Sequence, residues 1–192
     1  MIPIPAHIKG LIFDLDGTIA DTMPLHFQAW TKAMTAYGLI FTEEKFYAVA
    51  GITTLSIIEA LACEQNKIVP AAEAASMKEC FFEELLPSVK PIDSVLQVIR
   101  DFSGKLAMAV ATGGIRRLCE RTLDLLGLGA EFQTVLTADE VPQGKATSEI
   151  FLRAAREIGI APQFCAVFED GELGLQAGRA AGMYVIDVRV YL

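Results

Sequence analysis

An apolar run near the beginning of the chain ends in two aspartates two positions apart, in the segment Leu11-Ile-Phe-Asp14-Leu-Asp16-Gly17-Thr18. Such a run is typical of a buried strand, and Gly17 permits the turn that follows it. Because sites in parallel sheets form outside the carboxyl ends of the strands, both carboxylates can face one crevice there. Two anionic groups at low dielectric repel each other unless a cation or a shared proton relieves them. Asp14 and Asp16 therefore indicate a metal site or an acid–base couple, with an ordinary surface turn as the alternative.

The size and charge of the chain restrict its class. A chain of 192 residues suits one domain or a compact core with a modest insertion, and 53% hydrophobic residues can fill that core. The net charge of -8 and the absence of a Lys/Arg run predict no nucleic acid partner, because phosphate backbones bind clustered cations. Pro3 and Pro5 interrupt the apolar N-terminus, and no apolar stretch reaches the roughly twenty residues that span a membrane. We therefore expect no signal peptide, no membrane partner, a cytoplasmic location and, by default, a monomer.

The four cysteines are far apart in the sequence and form no CxxC pair. Cys63, Cys80, Cys119 and Cys165 all lie in apolar or helical settings. This distribution predicts reduced, buried thiols rather than a disulfide framework.

The section from residue 22 to 86 shows helical periodicity and no convincing strand. After a helix start at Thr22-Met23-Pro24, where proline fits the first turn, Phe27, Trp30 and Met34 recur at helical spacing. This section therefore predicts a small helical bundle.

From about residue 92, apolar runs alternate with helical patterns. The runs lie at 106–111, 133–137, 164–168 and 184–188. Strands that alternate with helices imply a parallel sheet. The sequence therefore predicts an α/β fold, in which residues 1–18 and 90–192 form a doubly wound parallel sheet and residues 19–89 form an inserted, small all-helical domain.

Polar residues follow three of these predicted strands, and a glycine lies beside each. Asp14 and Asp16 follow the first strand, Thr112 follows the second, and Glu169 and Asp170 end the fourth. In a parallel sheet these strand ends meet at one edge. Any one of these residues can be an ordinary loop residue, but together they favour a functional site.

The same residues resemble the four sequence motifs of the haloacid dehalogenase superfamily, in the order DLDGT, Thr112, Lys145 and Glu169-Asp170. The helical section resembles the cap of the beta-phosphoglucomutase-like branch. The tail from Phe168 to Met183 resembles the same branch, and together with the closing Asp187-Val-Arg it is most similar to the short fructose-1-phosphatase-like or 6-phosphogluconate phosphatase-like members. The resemblance implies a Rossmann-like core and an enzyme that hydrolyses a small phosphate monoester.

The resemblance also implies roles for individual residues. Asp14 would be the nucleophile that forms an aspartyl-phosphate, and Asp16 would protonate the leaving alkoxide and then activate water. Thr112 and the amide of Gly113 would hold phosphoryl oxygens, while Lys145 would bind the same group and offset its negative charge.

A divalent cation and two further substrate contacts are implied in the same way. Mg²⁺ would be bound by Asp14, Glu169 and Asp170 and by the main-chain oxygen of Asp16. Thr18 and His26 would contact the substrate, with packing on the first cap helix as the alternative for His26. The cap would select the substrate by closing over the carboxylates.

The charges of the cap separate hydrolysis from mutase chemistry. Between Ile19 and Ser88 the chain has no arginine, and nine acidic residues outnumber four lysines. A mutase must hold a second phosphate, a task that suits the planar fork of arginine. We therefore favour a phosphatase over a beta-phosphoglucomutase. A non-catalytic binding protein is the third hypothesis. The presence of every residue that the chemistry needs argues against it.

Overall fold

The computed structural model describes residues 2–49, 52–141, 145 and 147–192. The chain divides into two compact units, a sheet unit formed by Met1–Asp21 and Lys90–Leu192 and a helical unit formed by Thr22–Val89. In chain order the elements are β1 (Gly10–Phe13), α1 (Met23–Ala36), α2 (Glu43–Ala48), α3 (Thr54–Glu64), α4 (Ala71–Leu85), α5 (Asp93–Phe102), β2 (Ala107–Ala111), α6 (Arg116–Leu125), β3 (Thr134–Leu136), α7 (Glu149–Glu157), β4 (Cys165–Glu169), α8 (Glu172–Ala180) and β5 (Tyr184–Asp187).

The sheet unit contains a five-stranded parallel sheet in the order β3-β2-β1-β4-β5. The central strand β1 lies between β2 and β4, with Ile12 opposite both Ala109 and Val167. All residues of β1 and β4 are buried, which explains why these strands are apolar runs rather than alternating patterns. The α/β fold with a parallel sheet predicted from the sequence is confirmed.

The core on one side of this sheet is formed with helix α7. Ile150, Phe151 and Ala154 of that helix belong to one buried cluster with Ile12 and Val167 of the sheet. Their spacing follows the helical repeat, so the apolar face of α7 lies toward the strands. This packing fixes the strands whose carboxyl ends carry the candidate site.

Phe151 is the largest side chain of this cluster and has no exposed surface. We expect Phe151→Ala to lower the free energy of unfolding by about 3–5 kcal/mol, because it removes buried apolar surface and leaves a cavity. Urea unfolding followed by circular dichroism measures this loss. Leu152→Ala is the matched control, since the neighbouring Leu152 is only partly buried and should cost clearly less. Equal losses for the two variants would contradict the described packing.

The helical unit has its own apolar core. Trp30 and Met34 of α1, Phe46 of α2, Ile58 of α3 and Ala74 of α4 belong to one buried cluster. The helical character predicted for residues 22–86 is confirmed. Helix α2 was not expected, because its six residues are too few to show a helical repeat. No helix in the described part of the chain is both long and apolar enough to cross a bilayer.

The prediction of four buried thiols is wrong for two of the cysteines. Cys119 and Cys165 are buried, whereas Cys63 and Cys80 are exposed, and all four are free thiols. Helix α3 buries Ile57, Ile58, Leu61 and Ala62, so Cys63 falls outside its apolar face. Cys80 likewise lies off the buried positions of α4. An apolar neighbourhood in the sequence therefore does not establish burial when the residue lies on the outer side of a helix.

Candidate active site

Three acidic residues meet where the central strands β1 and β4 end. Asp14 follows β1 directly, and its backbone N–H donates to the carbonyl oxygen of Phe168 in β4 at 3.0 Å. Glu169 is the last residue of β4, and Asp170 follows it. Asp14, Glu169 and Asp170 each offer a carboxylate oxygen, and these oxygens all lie within 4.8 Å of one another. The parallel pairing of two neighbouring strands therefore produces the acidic cluster.

The ammonium group of Lys145 lies against this cluster. Its Nζ is 2.5 Å from Oδ1 of Asp14 and 2.8 Å from Oε2 of Glu169. It also donates a hydrogen bond of 3.1 Å to Oε1 of Glu169. All three residues are buried, so one lysine charge is held in contact with two carboxylates.

Burial and these neighbours shift the proton affinities of the cluster. Burial raises the pKa of Asp14 well above its ordinary value, and the Glu169 carboxylate adds to the shift while Lys145 opposes it. Burial also raises the pKa of Glu169 and of Asp170, again against the effect of Lys145. For Lys145 itself burial disfavours the charge, but the carboxylates of Asp14 and Glu169 outweigh burial and raise its pKa. Lys145 is therefore a cation that only partly compensates three crowded carboxylates.

Two oxygens of the cluster are buried and accept no hydrogen bond from the described residues, namely Oδ1 of Asp14 and Oε2 of Glu169. Both lie at ion-pair distance from Lys145 Nζ, so a single ammonium group is shared between them. Buried oxygens of this kind carry a free-energy cost unless a partner satisfies them. Carboxylate oxygens are also the ligands that Mg²⁺ and Ca²⁺ prefer. The residues present therefore fit a divalent cation.

The turn after β1 places the second aspartate. Gly17 has a φ of 79°, in the left-handed region that favours glycine. The backbone N–H groups of Thr18, Ile19 and Ala20 all donate to the carbonyl oxygen of Leu15, which closes a tight turn. A Cβ added at Gly114 would lie 3.6 Å from Oδ2 of Asp16. The Asp16 carboxylate is thus beside the loop that follows β2.

Thr18 and Thr112 are both buried, and each makes a defined contact in the sheet unit. The Thr18 hydroxyl donates to Oδ1 of Asp170 at 3.4 Å, so it helps to hold an acid of the cluster. Oγ1 of Thr112 accepts from the backbone N–H of Gly114 at 3.1 Å. The neighbouring Gly113 is exposed. That Thr18, Thr112 and Gly113 contact a substrate stays a prediction.

His26 belongs to the helical unit, where it packs against aromatic and basic neighbours. Its ring stacks on Phe82 with 3.7 Å between the centroids, and its Nδ1 lies 3.0 Å from Nζ of Lys78. Lys78 is almost completely buried and also contacts Glu79 at 3.2 Å. Burial of this lysine was not predicted from the sequence, although its position midway between Ala74 and Phe82 places it on the apolar face of α4.

Comparison with known proteins bears on this site. Residues 8–182 match the family model of the haloacid dehalogenase-like hydrolases. Fructose-1-phosphate phosphatase YqaB of Escherichia coli is 40% identical over 182 residues, which cover 94% of this chain and 96% of the relative. A phosphorylated carbohydrates phosphatase of Thermotoga maritima is 29% identical over 180 residues, covering 92% of this chain and 82% of that protein.

A solved structure shows the same fold. The crystal structure of beta-phosphoglucomutase from Clostridium difficile aligns with a TM-score of 0.83 at 23% identity, over 93% of this chain and 83% of that chain. The range matched by the family model, 8–182, includes Asp14, Lys145 and Asp170. The chain therefore belongs to the haloacid dehalogenase-like hydrolases.

Proposed function

We propose that this chain is a Mg²⁺-dependent phosphatase that hydrolyses a small sugar phosphate through an aspartyl-phosphate on Asp14. The observation that carries the proposal is the buried cluster of Asp14, Glu169 and Asp170 with Lys145 against it. The names of the Escherichia coli and Thermotoga maritima relatives support a phosphorylated carbohydrate as the substrate class.

Asp14 begins the reaction as the nucleophile. One of its carboxylate oxygens attacks phosphorus, the bond between phosphorus and the sugar oxygen breaks, and the phosphoryl group is then esterified to Asp14. The sugar oxygen leaves as an alkoxide and takes a proton from Asp16. The partly exposed carboxyl of Asp16, beside the loop after β2, can reach a group that enters from solvent.

Asp16 then works in the opposite direction. Its carboxylate removes a proton from water, the oxygen of that water attacks phosphorus, and the bond to Asp14 breaks. Inorganic phosphate leaves and Asp14 is restored. Lys145 and the Thr112–Gly113 loop contribute positive charge and N–H or O–H donors to the phosphoryl oxygens.

The cation would be bound by Asp14, Glu169 and Asp170, with the main-chain oxygen of Asp16 as a further ligand. When bound, Mg²⁺ reduces the repulsion between the Asp14 carboxylate and the phosphoryl group. The unsatisfied oxygens of Asp14 and Glu169 support this assignment. A cytoplasmic location, a monomeric state and contacts of Thr18 and His26 with the substrate stay predictions.

Turnover of phosphate esters with and without Mg²⁺ tests the proposal. Fructose 1-phosphate, 6-phosphogluconate and beta-glucose 1-phosphate are suitable substrates, with released phosphate as the readout. We expect removal of Mg²⁺ by EDTA to lower turnover at least about 100-fold, because the cation supplies several kcal/mol of charge stabilisation. Turnover that does not change with EDTA would contradict the metal assignment. Isomerisation of beta-glucose 1-phosphate in excess of phosphate release would indicate a mutase, and ligand binding without turnover would indicate a binding protein.

A further inference from the structure

We infer that Gly174 is a positioning residue for Glu169, because only a residue without a side chain leaves room for the Glu169 carboxylate in the acidic cluster. Gly174 is the third residue of α8 and is buried. The inference rests on the proposed function, since it concerns how tightly the cluster binds Mg²⁺. Gly174 has no functional group of its own, so its contribution to the site is the absence of a side chain.

The Glu169 side chain fills the space where a Cβ at position 174 would be. A Cβ built on Gly174 would lie 2.6 Å from both Cγ and Oε1 of Glu169, and closer still to Cδ. Real Cβ atoms essentially never approach another heavy atom to less than 3.0 Å. Any other residue at this position therefore forces Glu169 to move.

Two neighbours hold the Glu169 carboxylate against the first turn of α8, which contains Gly174. Its Oε1 accepts hydrogen bonds from the backbone N–H of Gly171 and from Lys145 Nζ, both at 3.1 Å. The carboxylate also lies at the N-terminal end of α8, where the helix dipole favours negative charge. Oε2 lies 2.8 Å from Lys145 Nζ and accepts no hydrogen bond from the described residues.

A methyl group at position 174 would displace the carboxylate without breaking the backbone of the helix. The atoms in its way belong to the outer part of a side chain with rotatable bonds, so Glu169 can turn aside. Turning aside gives up the contacts with Gly171 and Lys145 and removes an oxygen from the cluster. The expected result is a folded protein with a weakened cation site.

A second glycine on the same helix provides a matched control. A Cβ at Gly178 would meet Val185 Cγ2 at 2.9 Å and Val167 Cβ at 3.4 Å, which are apolar atoms of the sheet. Gly178→Ala therefore disturbs the packing of α8 on the sheet but leaves the Glu169 carboxylate alone. A purely structural role for Gly174 predicts that the two glycines behave alike.

The test is the affinity for Mg²⁺, measured by isothermal titration calorimetry on the full chain without substrate. We expect Gly174→Ala to weaken binding by about 10- to 100-fold, the usual effect of disturbing a group that orients a metal ligand. The affinity of Gly178→Ala should stay within about twofold of that of the unmodified chain, because a Cβ at this position meets valine side chains of the sheet and not the Glu169 carboxylate. Native-like affinity of Gly174→Ala, or equal weakening by the two substitutions, would overturn the inference.

Shortening the ligand provides a second readout. Glu169→Asp alone should weaken Mg²⁺ binding, but the shorter side chain leaves room for a methyl group at position 174. The combined variant should therefore lose less affinity than the two separate losses added together, whereas additive losses would overturn the inference.

The inference can also be tested if Gly174→Ala does not fold or if the unmodified chain does not bind Mg²⁺. Should Gly174→Ala fail to fold, recovery of the fold in the combined variant would support the inference, and no recovery would overturn it. If the unmodified chain does not bind Mg²⁺, both the proposed function and the inference are contradicted. If the unmodified chain binds Mg²⁺ and Gly174→Ala binds it equally well, only the inference is contradicted.

Discussion

Asp14→Asn is expected to reduce phosphate release by roughly 10⁴- to 10⁶-fold, the scale seen when an enzyme loses its nucleophile. The amide has the shape of the carboxylate but cannot form the aspartyl-phosphate, so the first step is lost rather than slowed. Asp14 is also the carboxylate whose pKa burial raises well above its ordinary value, with a further contribution from Glu169. Replacing it by a neutral group relieves part of this repulsion, so the variant should remain folded.

The rate of phosphate release under substrate saturation, together with a thermal unfolding curve, checks this expectation. Asp124→Asn is the control, because Asp124 is an exposed aspartate of the sheet unit and should leave the rate unchanged. A residual rate within about tenfold of the unmodified chain would show that Asp14 is not the nucleophile, since removal of a nucleophile costs far more.

Lys145→Met should have the second largest effect, on both stability and rate. It leaves the buried carboxylates of Asp14 and Glu169 without their cation, which should lower the free energy of unfolding by about 3–5 kcal/mol in EDTA. Added Mg²⁺ should restore part of this loss, because the ion binds the folded state. The rate of hydrolysis should fall by about 10²- to 10³-fold, as for loss of a group that stabilises charge in the transition state.

The stability deficit of Lys145→Met should also depend on pH. Acids whose pKa is raised in the folded state contribute stability at low pH, and this contribution is lost as the pH rises through the raised values. Lys145 limits that loss, because it opposes the rise in the pKa of Asp14 and Glu169. The deficit should therefore be small near about pH 4, where the carboxyls are protonated, and larger near about pH 8.

Urea unfolding in EDTA at several pH values measures this deficit. Lys105→Met is the control, because Lys105 is exposed and donates to a backbone carbonyl rather than to a carboxylate. A deficit that is equal at all pH values, or equal for the two lysines, would contradict the role given to Lys145.

Much of the fold follows from local patterns in the sequence. The runs predicted at 106–111, 164–168 and 184–188 correspond to β2, β4 and β5 to within about a residue or two at each end. For β2 and β4 the signal is continuous because both strands are buried almost throughout, whereas β5 is an edge strand that is only partly buried. Helix α2 could not be predicted, because its six residues are too few to leave a periodic signal. It is held by a cap, in which Lys45 N–H donates to the Thr42 side chain, and by burial of Phe46 in the helical unit.

The position of the acidic cluster follows from topology, whereas its detailed contacts do not. Parallel strands place their ends at one edge, and this rule is enough to expect Asp14, Glu169 and Asp170 near one another. Whether Glu169 needs a glycine beneath it, or whether Lys78 is buried, depends on packing between residues distant in the sequence. The exposure of Cys63 and Cys80 was wrongly predicted for the same reason.

Direct trapping of the phosphorylated enzyme tests the central claim. The chain is mixed with a sugar phosphate and Mg²⁺, quenched in acid within milliseconds, reduced with borohydride and digested for mass spectrometry. Borohydride converts an aspartyl-phosphate to homoserine, so we predict homoserine at position 14 in the unmodified chain and none in Asp14→Asn. Rapid phosphate release with no modified residue, or with the modification at a residue other than Asp14, would contradict the mechanism.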